Sequence, residues 1–221
     1  MTNLNVAIIP VTPFQQNCAV LFDSETKRGS IIDPGGDVPR ILEALKEMDV
    51  TLDQIVLTHG HIDHAGGAAE LAETLGLEII GPHPDDTFLL EGIAAQGRMY
   101  GVTGVRDCAP DRFLREGESI DMAGLTFEVL ECPGHTPGHI VFINRDIKLA
   151  IVGDVLFRGS VGRTDFPRSS HDALMNSIRT KLMVLDDDVT FLCGHGPAST
   201  IGEERASNPF VHEALAGSSK G

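Results

Sequence analysis

Four potential metal ligands fall within six residues of the sequence, at the end of a short apolar run. The segment is THGHIDH, residues 58–64, and it follows Ile55–Leu57. In an extended chain, residues two apart point the same way, so His59 and His61 can hold one ion together. The chain is then predicted to turn into a helix, which lets Asp63 and His64 face a second ion. Imidazole with carboxylate suits zinc, iron or manganese, whereas all-oxygen sites suit magnesium or calcium.

Three further potential ligands follow strands or lie in Gly-rich turns. They are His135 in CPGHTPGH, Asp154 in VGD and His195 in CGHGP. A glycine precedes each of them, which predicts a sharp backbone turn that directs the next side chain away from the sheet end. Each one alone is typical of an ordinary polar turn. As a set they complete a two-metal site, because a shared carboxylate is the usual bridge between closely spaced cations.

The elements that must position these residues alternate between strands and helices. Apolar and β-branched runs predict strands at Val6–Val11, Cys18–Phe22, Ser30–Ile32, Ile55–Leu57, Leu125–Leu130, Ile140–Ile143, Leu149–Val152 and Thr190–Cys193. Apolar residues at helical spacing predict helices over 38–48, 65–75, 85–96 and 171–182. The pattern is a mixed α/β single domain over residues 1–216, with 217–221 as a flexible tail. Residues 81–117 give the weakest pattern.

Composition and charge restrict the classes of partner. The 221 residues include 17 Lys and Arg against 32 Asp and Glu, a formal net charge of −15. With 42% hydrophobic residues the chain is globular rather than disordered. The overall field opposes binding to a nucleic-acid backbone or to an anionic membrane surface.

The sequence favours a cytoplasmic location without a membrane segment. No basic region followed by a long apolar run begins the chain, and no apolar run approaches the ~20 residues needed to cross a bilayer. The four cysteines, at 18, 108, 132 and 193, form no C-x-x-C pair. Sparse, widely spaced thiols are typical of a reducing compartment.

The order and context of the four ligand motifs resemble those of the metallo-β-lactamase fold superfamily, over roughly residues 55–197. The segment GSVGRTDF, residues 159–166, resembles more narrowly the glyoxalase II-like branch, which includes hydroxyacylglutathione hydrolases and persulfide dioxygenases. The resemblance implies an αββα sandwich with the metals at one edge, between two sheets. It implies that His59, His61 and His135 hold the first ion. It also implies that Asp63, His64 and His195 hold the second ion, and that Asp154 bridges the two.

The same resemblance implies two divalent cofactor ions and a hydrolase. Zinc is favoured, with iron or manganese as alternatives. A metal-bound hydroxide would attack the carbonyl of a thioester, and S-acylglutathione is the expected substrate class. Asp63 could accept the proton of the attacking water as well as bind metal.

A second enzyme class stays open from the sequence. His59, His135 and Asp154 could form the two-His, one-carboxylate triad of a mononuclear iron persulfide dioxygenase. Metal stoichiometry and O₂ uptake would separate the two, and we favour the hydrolase. The sequence differs from full-length glyoxalase II in one respect. Only about 25 residues follow His195, too few for the C-terminal helical region that binds glutathione in those enzymes. Either a shorter pocket takes over that function or glutathione is not the preferred thiol.

The sequence also suggests roles for residues outside the four ligand motifs. Arg163 could pair with a carboxylate of a small anionic substrate, or it could lock Asp165 in its own loop. Arg158 and Arg168 are further candidates for the substrate contact.

Asp33, ahead of Pro-Gly-Gly, could orient a ligand histidine or form an Asx turn. His83, His139 and His171 are interpreted as ordinary polar residues, with His139 hydrogen-bonding around the His135 turn. Cys132 is expected to be a buried strand residue.

Overall fold

Two mixed β-sheets face each other, and helices cover the outer face of each. The structure, a computed structural model, describes residues 3–217. The first sheet has the strand order β1 (Leu4–Val11), β2 (Gln16–Asp23), β3 (Arg28–Ile32), β4 (Thr51–Val56) and β5 (Ile79–Ile80). The second has the order β13 (Ser199–Thr200), β12 (Thr190–Cys193), β9 (Leu149–Gly153), β8 (Ile140–Asn144), β7 (Leu125–Glu131) and β6 (Ser119–Met122). A hairpin of β10 (Leu156–Phe157) and β11 (Ser160–Val161) stands apart from both.

Eight α-helices flank the sheets within residues 3–217. They are α1 (Val38–Met48), α2 (Ile62–Ala65), α3 (Ala68–Leu75), α4 (Thr87–Leu90), α5 (Ile93–Tyr100), α6 (His171–Ser177), α7 (Ile201–Ser207) and α8 (Pro209–Ala216). A one-turn 3₁₀ helix, Pro84–Asp86, precedes α4, and a π-helical turn, Ile178–Leu182, extends α6. None of the helices among these residues has the length and apolar character that a bilayer span requires.

Three apolar clusters correspond to the interfaces of an αββα sandwich, so the predicted fold class is confirmed. One cluster packs α1 and α3 against the first sheet, with Ile41 and Leu71 among its members. Another packs α6 and α8 against the second sheet, through Leu174 and Val211. The third lies between the sheets. Strands covered on both faces are mostly apolar: every residue of β8 and β9 is buried, and Asn144 at the end of β8 is the one polar side chain among them.

The helix over 38–48 and the strand Thr190–Cys193 have the predicted bounds, and the other predicted strands are present with bounds that differ by a few residues. The helix predicted over 171–182 corresponds to α6 and its π-helical extension, whereas the other two helix predictions were wrong in extent. The stretch 65–75 is split into α2 and α3 at Gly66-Gly67, where a Cβ on Gly67 would lie 2.7 Å from the Pro34 carbonyl oxygen. The stretch 85–96 is split at Gly92 into α4 and α5. Gly76 ends α3 in the left-handed conformation, as expected for a C-cap.

The chain after β12 forms more structure than its weak pattern indicated. The short helices α7 and α8 were not predicted, and α8 ends at Ala216. The predicted tail at 217–221 lies, beyond Gly217, outside the described residues. All four cysteines are free and buried, and Cys132 lies one residue beyond β7.

Candidate metal centre

The seven predicted ligands come together at one edge, between the sheets. His59 and His61 follow β4, and Asp63 and His64 lie in α2. The other three follow strands of the second sheet: His135 follows β7, Asp154 follows β9 and His195 follows β12. Strands β7, β9 and β12 point the same way, because β8 is antiparallel to both β7 and β9, and β9 is parallel to β12. Their carboxyl ends therefore share an edge.

Three ring nitrogens form the first group. Nδ1 of His61 lies 3.2 Å from Nε2 of His59 and 2.9 Å from Nε2 of His135. These separations are close to those of imidazoles that share one ion with metal–nitrogen bonds of about 2.0–2.1 Å. The arrangement is the ligand set implied for the first ion.

A carboxylate and two imidazoles form the second group. Oδ2 of Asp63 lies 3.2 Å from Nε2 of His195 and 3.9 Å from Nε2 of His64. The three ligand atoms lie within 4.8 Å of one another, so one ion could contact all three. This is the ligand set implied for the second ion.

The carboxylate of Asp154 lies between the two groups. Its Oδ2 is 3.5 Å from Nε2 of His135 and 3.6 Å from Nε2 of His195. Its Oδ1 is 3.4 Å from Nε2 of His64. One oxygen thus faces a ligand of each group, which is the placement required of a bridging ligand.

Hydrogen bonds behind the histidines fix which ring nitrogen faces the centre. Oδ2 of Asp33 accepts the proton of Nδ1 of His64, at 2.8 Å, and the hydroxyl proton of Thr58, at 2.6 Å. Because the Thr58 hydroxyl has only that one proton to give, its oxygen accepts from Nδ1 of His59, at 3.0 Å. Asp33 therefore orients ligand histidines, the first of the two alternatives for it. The proximity of Asp33, His59 and His64 is explained by these hydrogen bonds and does not require a third ion.

His135 is oriented from behind in the same way, by a backbone group. Its Nδ1 donates to the carbonyl oxygen of Arg163, at 2.8 Å. His59, His64 and His135 therefore each present the lone pair of Nε2 to the centre, as metal-bound histidines do.

The donor set fits divalent cations. Nε2 of His64 and Oδ1 of Asp154 are both buried and both without a hydrogen-bond partner, although only 3.4 Å separates them. A buried polar atom without a partner is costly, and a bound ion satisfies both atoms at once. Nitrogen donors combined with carboxylates suit zinc or iron better than calcium or magnesium.

The charge states at the centre favour a cation. Burial, together with neighbouring histidines, holds the pKa of His59 well below its usual range and lowers the pKa of His61 to about 3. Burial acts to raise the pKa of Asp154, but the facing His64 outweighs it and the pKa lies well below its usual range. In His64, burial is outweighed by Asp154, Asp63 and Asp33, so its pKa is raised.

Two residues with a part in this centre were not recognised as such from the sequence. His139 was interpreted as ordinary, but it is fully buried, its ring stacks on His59 with centroids 4.6 Å apart, and its Nε2 accepts from the backbone N–H of Asp154 at 3.0 Å. The other residue is Asp86, a buried carboxylate that hydrogen-bonds to the loops of His59 and His135. The only sequence signal for it was an acid in the stretch of weakest pattern, after Pro84.

His83 and His171 lie outside the centre, as predicted. Nδ1 of His83 accepts from the backbone N–H of Asp85, and its Nε2 faces Arg115. His171, at the start of α6, lies 3.4 Å from Oε1 of Glu213.

The three candidate arginines are all exposed, and none contacts a predicted ligand through its guanidinium. Arg163 forms a two-point ion pair with Asp165, at 3.0 and 2.7 Å, and lies over the Phe166 ring. The structure thus shows the loop-locking alternative for Arg163. Arg168 lies over the ring of Phe88, 4.3 Å from its centroid, and Arg158 is exposed in the turn between β10 and β11.

The glycines before the ligands serve two different purposes. Gly134 and Gly153 have φ of 145° and 48°, so the expectation of a turn that disfavours other residues holds there. Gly194 is not in the left-handed region, and a Cβ there would lie 2.1 Å from Oδ1 of Asp154 and 2.5 Å from Cε1 of His64. Gly194 is required because the bridging carboxylate and a ligand histidine pack directly against it.

Comparison with known protein families agrees with the family resemblance that the ligand motifs carry. Residues 11–195 match the family model described as the metallo-beta-lactamase superfamily. The chain belongs to this superfamily. The match spans all seven candidate ligands and every strand of both sheets except β13 and most of β1.

Relatives of the superfamily narrow the assignment to the glyoxalase II-like branch. The chain is 48% identical over 210 residues to the hydroxyacylglutathione hydrolase GloC of Haemophilus influenzae, covering 95% of this chain and 99% of that protein. This member of the superfamily is therefore a metal-dependent hydrolase.

Two solved structures of the superfamily superpose closely. BLEG-1 B3 metallo-beta-lactamase has a TM-score of 0.86 and 34% identity, covering 94% of this chain and 99% of that chain. TTHA1623 in a di-iron-bound form has a TM-score of 0.81 and 34% identity, covering 92% and 99%.

Proposed function

We propose that this protein hydrolyses thioesters at a two-metal centre, with S-acylglutathione as the substrate class. The observation that carries the proposal is the position of Asp154, whose Oδ2 faces one histidine of each ligand group at 3.5 and 3.6 Å. A mononuclear centre would leave the carboxylate of Asp63 and the imidazole of His195 at one edge of the site without a metal to bind.

The substrate class is supported by the relative from Haemophilus influenzae, which is named a hydroxyacylglutathione hydrolase. That protein aligns with this chain over 99% of its own length. The short segment after His195 is therefore no argument against a glutathione thioester, because the relative is matched almost end to end. A shorter pocket is the alternative that we retain.

The residues of the centre would bind two separate metal ions. His59, His61 and His135 would hold one ion, and Asp63, His64 and His195 the other, with Asp154 binding both. When bound, two divalent ions, for which we favour zinc over iron or manganese, acidify a water and polarise the thioester carbonyl oxygen. The solved relative that holds two irons shows that this fold accepts iron.

Asp63 is the candidate proton acceptor. Its carboxylate is largely buried, faces His195 at 3.2 Å and is ionised, since its pKa lies below the usual value: burial acts to raise it, but His64 and His195 outweigh that effect. As the C–O bond forms and the C–S bond breaks, the water proton passes to Asp63 and then to the departing thiolate. A Cys-type thiol has a pKa of about 8.5, so the thiolate leaves without a dedicated general acid.

Arg163 remains our candidate for a carboxylate of the substrate, with Arg158 and Arg168 as further candidates. The guanidinium of Arg163 is 70% exposed and its present partner, Asp165, is 64% exposed. An exposed ion pair contributes only about 0–1 kcal/mol, so exchange of Asp165 for a substrate carboxylate costs little. We also propose a cytoplasmic location, supported by four buried cysteines that are all free.

The test combines metal analysis with a thiol-release assay. Protein purified without added metal is analysed for zinc, iron and manganese, and release of free thiol from S-lactoylglutathione is followed with and without a chelator. We expect two metals per chain and thiol release that the chelator abolishes. One iron per chain with O₂ uptake on glutathione persulfide would overturn the proposal in favour of the dioxygenase. Cleavage of a β-lactam without thiol release would overturn it in favour of a lactamase.

A further inference from the structure

A fully buried carboxylate outside the four ligand motifs joins the two loops that carry the first ligand group. Asp86 is 0% exposed and closes the 3₁₀ helix Pro84–Asp86, in the covering layer of the first sheet. No ion pair neutralises it among residues 3–217. A buried acid without a cation is expensive, so its presence calls for a specific role.

Three neutral donors satisfy this carboxylate. Its Oδ2 accepts from the backbone N–H of Gly60, at 2.9 Å, and from the hydroxyl of Thr136, at 2.7 Å. Its Oδ1 accepts from the backbone N–H of Gly138, at 2.6 Å. Gly60 separates His59 from His61, and Thr136 directly follows His135. One side chain thus ties the loop after β4, in the first sheet, to the loop after β7, in the second.

The loops are shaped to admit the carboxylate. A Cβ on Gly138 would lie 2.6 Å from the backbone nitrogen of Asp86 and 2.7 Å from its Oδ1. A Cβ on Gly60 would lie 3.0 Å from the carbonyl oxygen of Asp86. Two glycines therefore leave the space that lets both loops approach the same acid.

We propose that Asp86 is a positioning residue for the first metal site. It fixes the distance between the loop of His59 and His61 and the loop of His135, and it touches none of the second ligand group. His64 of that second group is oriented by Asp33 instead, at 2.8 Å. The inference rests on the proposed two-metal centre and predicts an effect confined to one of its two sites.

An amide cannot replace this carboxylate. The two oxygens of Asp86 face three hydrogen donors, so a carboxamide of the same shape must direct its NH₂ group at one of them. Asp86→Asn therefore removes at least one bond and adds a donor–donor contact, while the volume is unchanged. The neighbouring Asp85 supplies a matched control, because its side chain is 60% exposed and contacts neither loop.

The test measures zinc binding in Asp86→Asn and Asp85→Asn by competition with a chromophoric chelator, together with the visible spectrum of the cobalt-substituted proteins. We expect Asp86→Asn to weaken the binding of one of the two zinc ions about 10–100-fold, as loss of a partner that orients a ligand typically does. The affinity for the other zinc ion should be unchanged. Asp85→Asn should bind both ions as the wild type does. The cobalt spectrum should change in intensity for one site only.

Thr136→Val provides a second variant that keeps the charge and removes a single bond to Asp86, so the test survives if Asp86→Asn fails to fold. It should weaken the same ion by a smaller factor. The proposal is overturned if both variants bind both ions normally, or if both ions weaken equally in step with the melting temperature of the metal-free protein. Failure of the wild type to release thiol would overturn the proposed function but not this result, because zinc affinity is measured without substrate.

Discussion

Three of the five candidate ligand histidines, His59, His64 and His135, are oriented by the ring nitrogen that faces away from the centre. The Thr58 hydroxyl illustrates the logic, because its one proton goes to Asp33 and its oxygen must accept from His59. Asp33 also receives His64, so one carboxylate sets the orientation of a histidine in each ligand group. The tautomers follow from this arrangement and need no metal to select them.

Asp33→Asn is expected to weaken metal binding about 10–100-fold at both sites. Oδ1 of Asp33 accepts from the backbone N–H of Thr58, at 2.8 Å, while Oδ2 accepts from the Thr58 hydroxyl and from His64, so an amide must direct its NH₂ group at one of these donors. Zinc affinity measured with a competing chelator checks this. Asp49→Asn is the matched control: Asp49 has φ 56° against 53° for Asp33, but it is exposed at the end of α1. Unchanged affinity in Asp33→Asn would show that the histidines orient without it.

Gly194→Ala is expected to lower metal content at neutral pH, because its Cβ would occupy space held by Oδ1 of Asp154, 2.1 Å away. The unfolding free energy should also fall by about 1–3 kcal/mol, the usual cost of overpacking. Gly217→Ala, where the nearest atom is 3.6 Å away, should change neither. Metal analysis and urea unfolding are the measurements, and full metal occupancy in Gly194→Ala would contradict the close packing.

Residue type, position at strand ends and the family resemblance together predicted all seven candidate ligands, and the structure brings their side chains together; that they bind metal stays a prediction. The residues that orient the ligands were harder to predict. Asp33 could be proposed because it follows a strand and precedes a turn, but its alternatives could not be separated without the hydrogen bonds. Asp86 follows no strand motif, and two of its three partners are backbone N–H groups, which every residue except proline has. Nothing in a single sequence marks an acid whose role depends on two distant glycines.

At the scale of elements, the C-terminal helices hold the hairpin that leads from Asp154 towards Arg163. Asn208 donates to the carbonyl oxygens of Ser160, at 3.1 Å, and Phe157, at 3.4 Å. The buried Glu204 accepts from the backbone N–H of Gly159, at 2.7 Å. The hairpin therefore depends on side chains from α7 and from the junction between α7 and α8.

Asn208→Ala is expected to reduce the unfolding free energy by about 3 kcal/mol, since it removes the N-cap of α8 and the amide that donates to the partly buried carbonyl groups of Phe157 and Ser160. Thr200→Ala removes only the N-cap of α7, where the hydroxyl accepts from the backbone N–H of Glu203, and should cost about 1 kcal/mol. Urea unfolding of the metal-free variants compares them. Equal losses would show that the hairpin contacts of Asn208 contribute nothing.

Periodicity predicted α1 well because its apolar face is continuous, with Val38, Ile41 and Leu45 buried. It failed where glycines interrupt a helical pattern for the sake of close packing, as at Gly66-Gly67, because spacing alone does not reveal the Pro34 carbonyl opposite. The helices α7 and α8 are seven and eight residues long. Such short helices owe their stability to caps and tertiary contacts more than to their own pattern.

At the scale of the whole molecule, the apolar contact between the two sheets joins the two halves of the chain. Phe127 and Phe142 of the second sheet are fully buried against residues of the first, including Leu21, Ile32 and Val56. We propose on this basis that residues 1–216 form one cooperative domain. Apolar runs predicted the strands and the family resemblance implied the two sheets, but which residues pack between them follows only from the three-dimensional arrangement.

Phe142→Ala is expected to lower the unfolding free energy of the metal-free protein by about 3–5 kcal/mol, because the cavity lies between the sheets. Val184→Ala, at a side chain that is 66% exposed, should change it by less than about 0.5 kcal/mol. Guanidinium unfolding followed by circular dichroism and by Tyr100 fluorescence should give one coincident transition in each protein. Two separate transitions would contradict a single cooperative domain.

The position of the metal centre at the seam between the sheets has a consequence for the order of assembly. Its ligands come from loops of both sheets and lie between residues 59 and 195, so no part of the chain can form the complete centre alone. A chain that is still being synthesised lacks the complete metal site, because the seven candidate ligands come together only after β12 has docked. We therefore expect the metals to enter after folding, so that the metal content depends on the metal supply of the compartment in which folding ends.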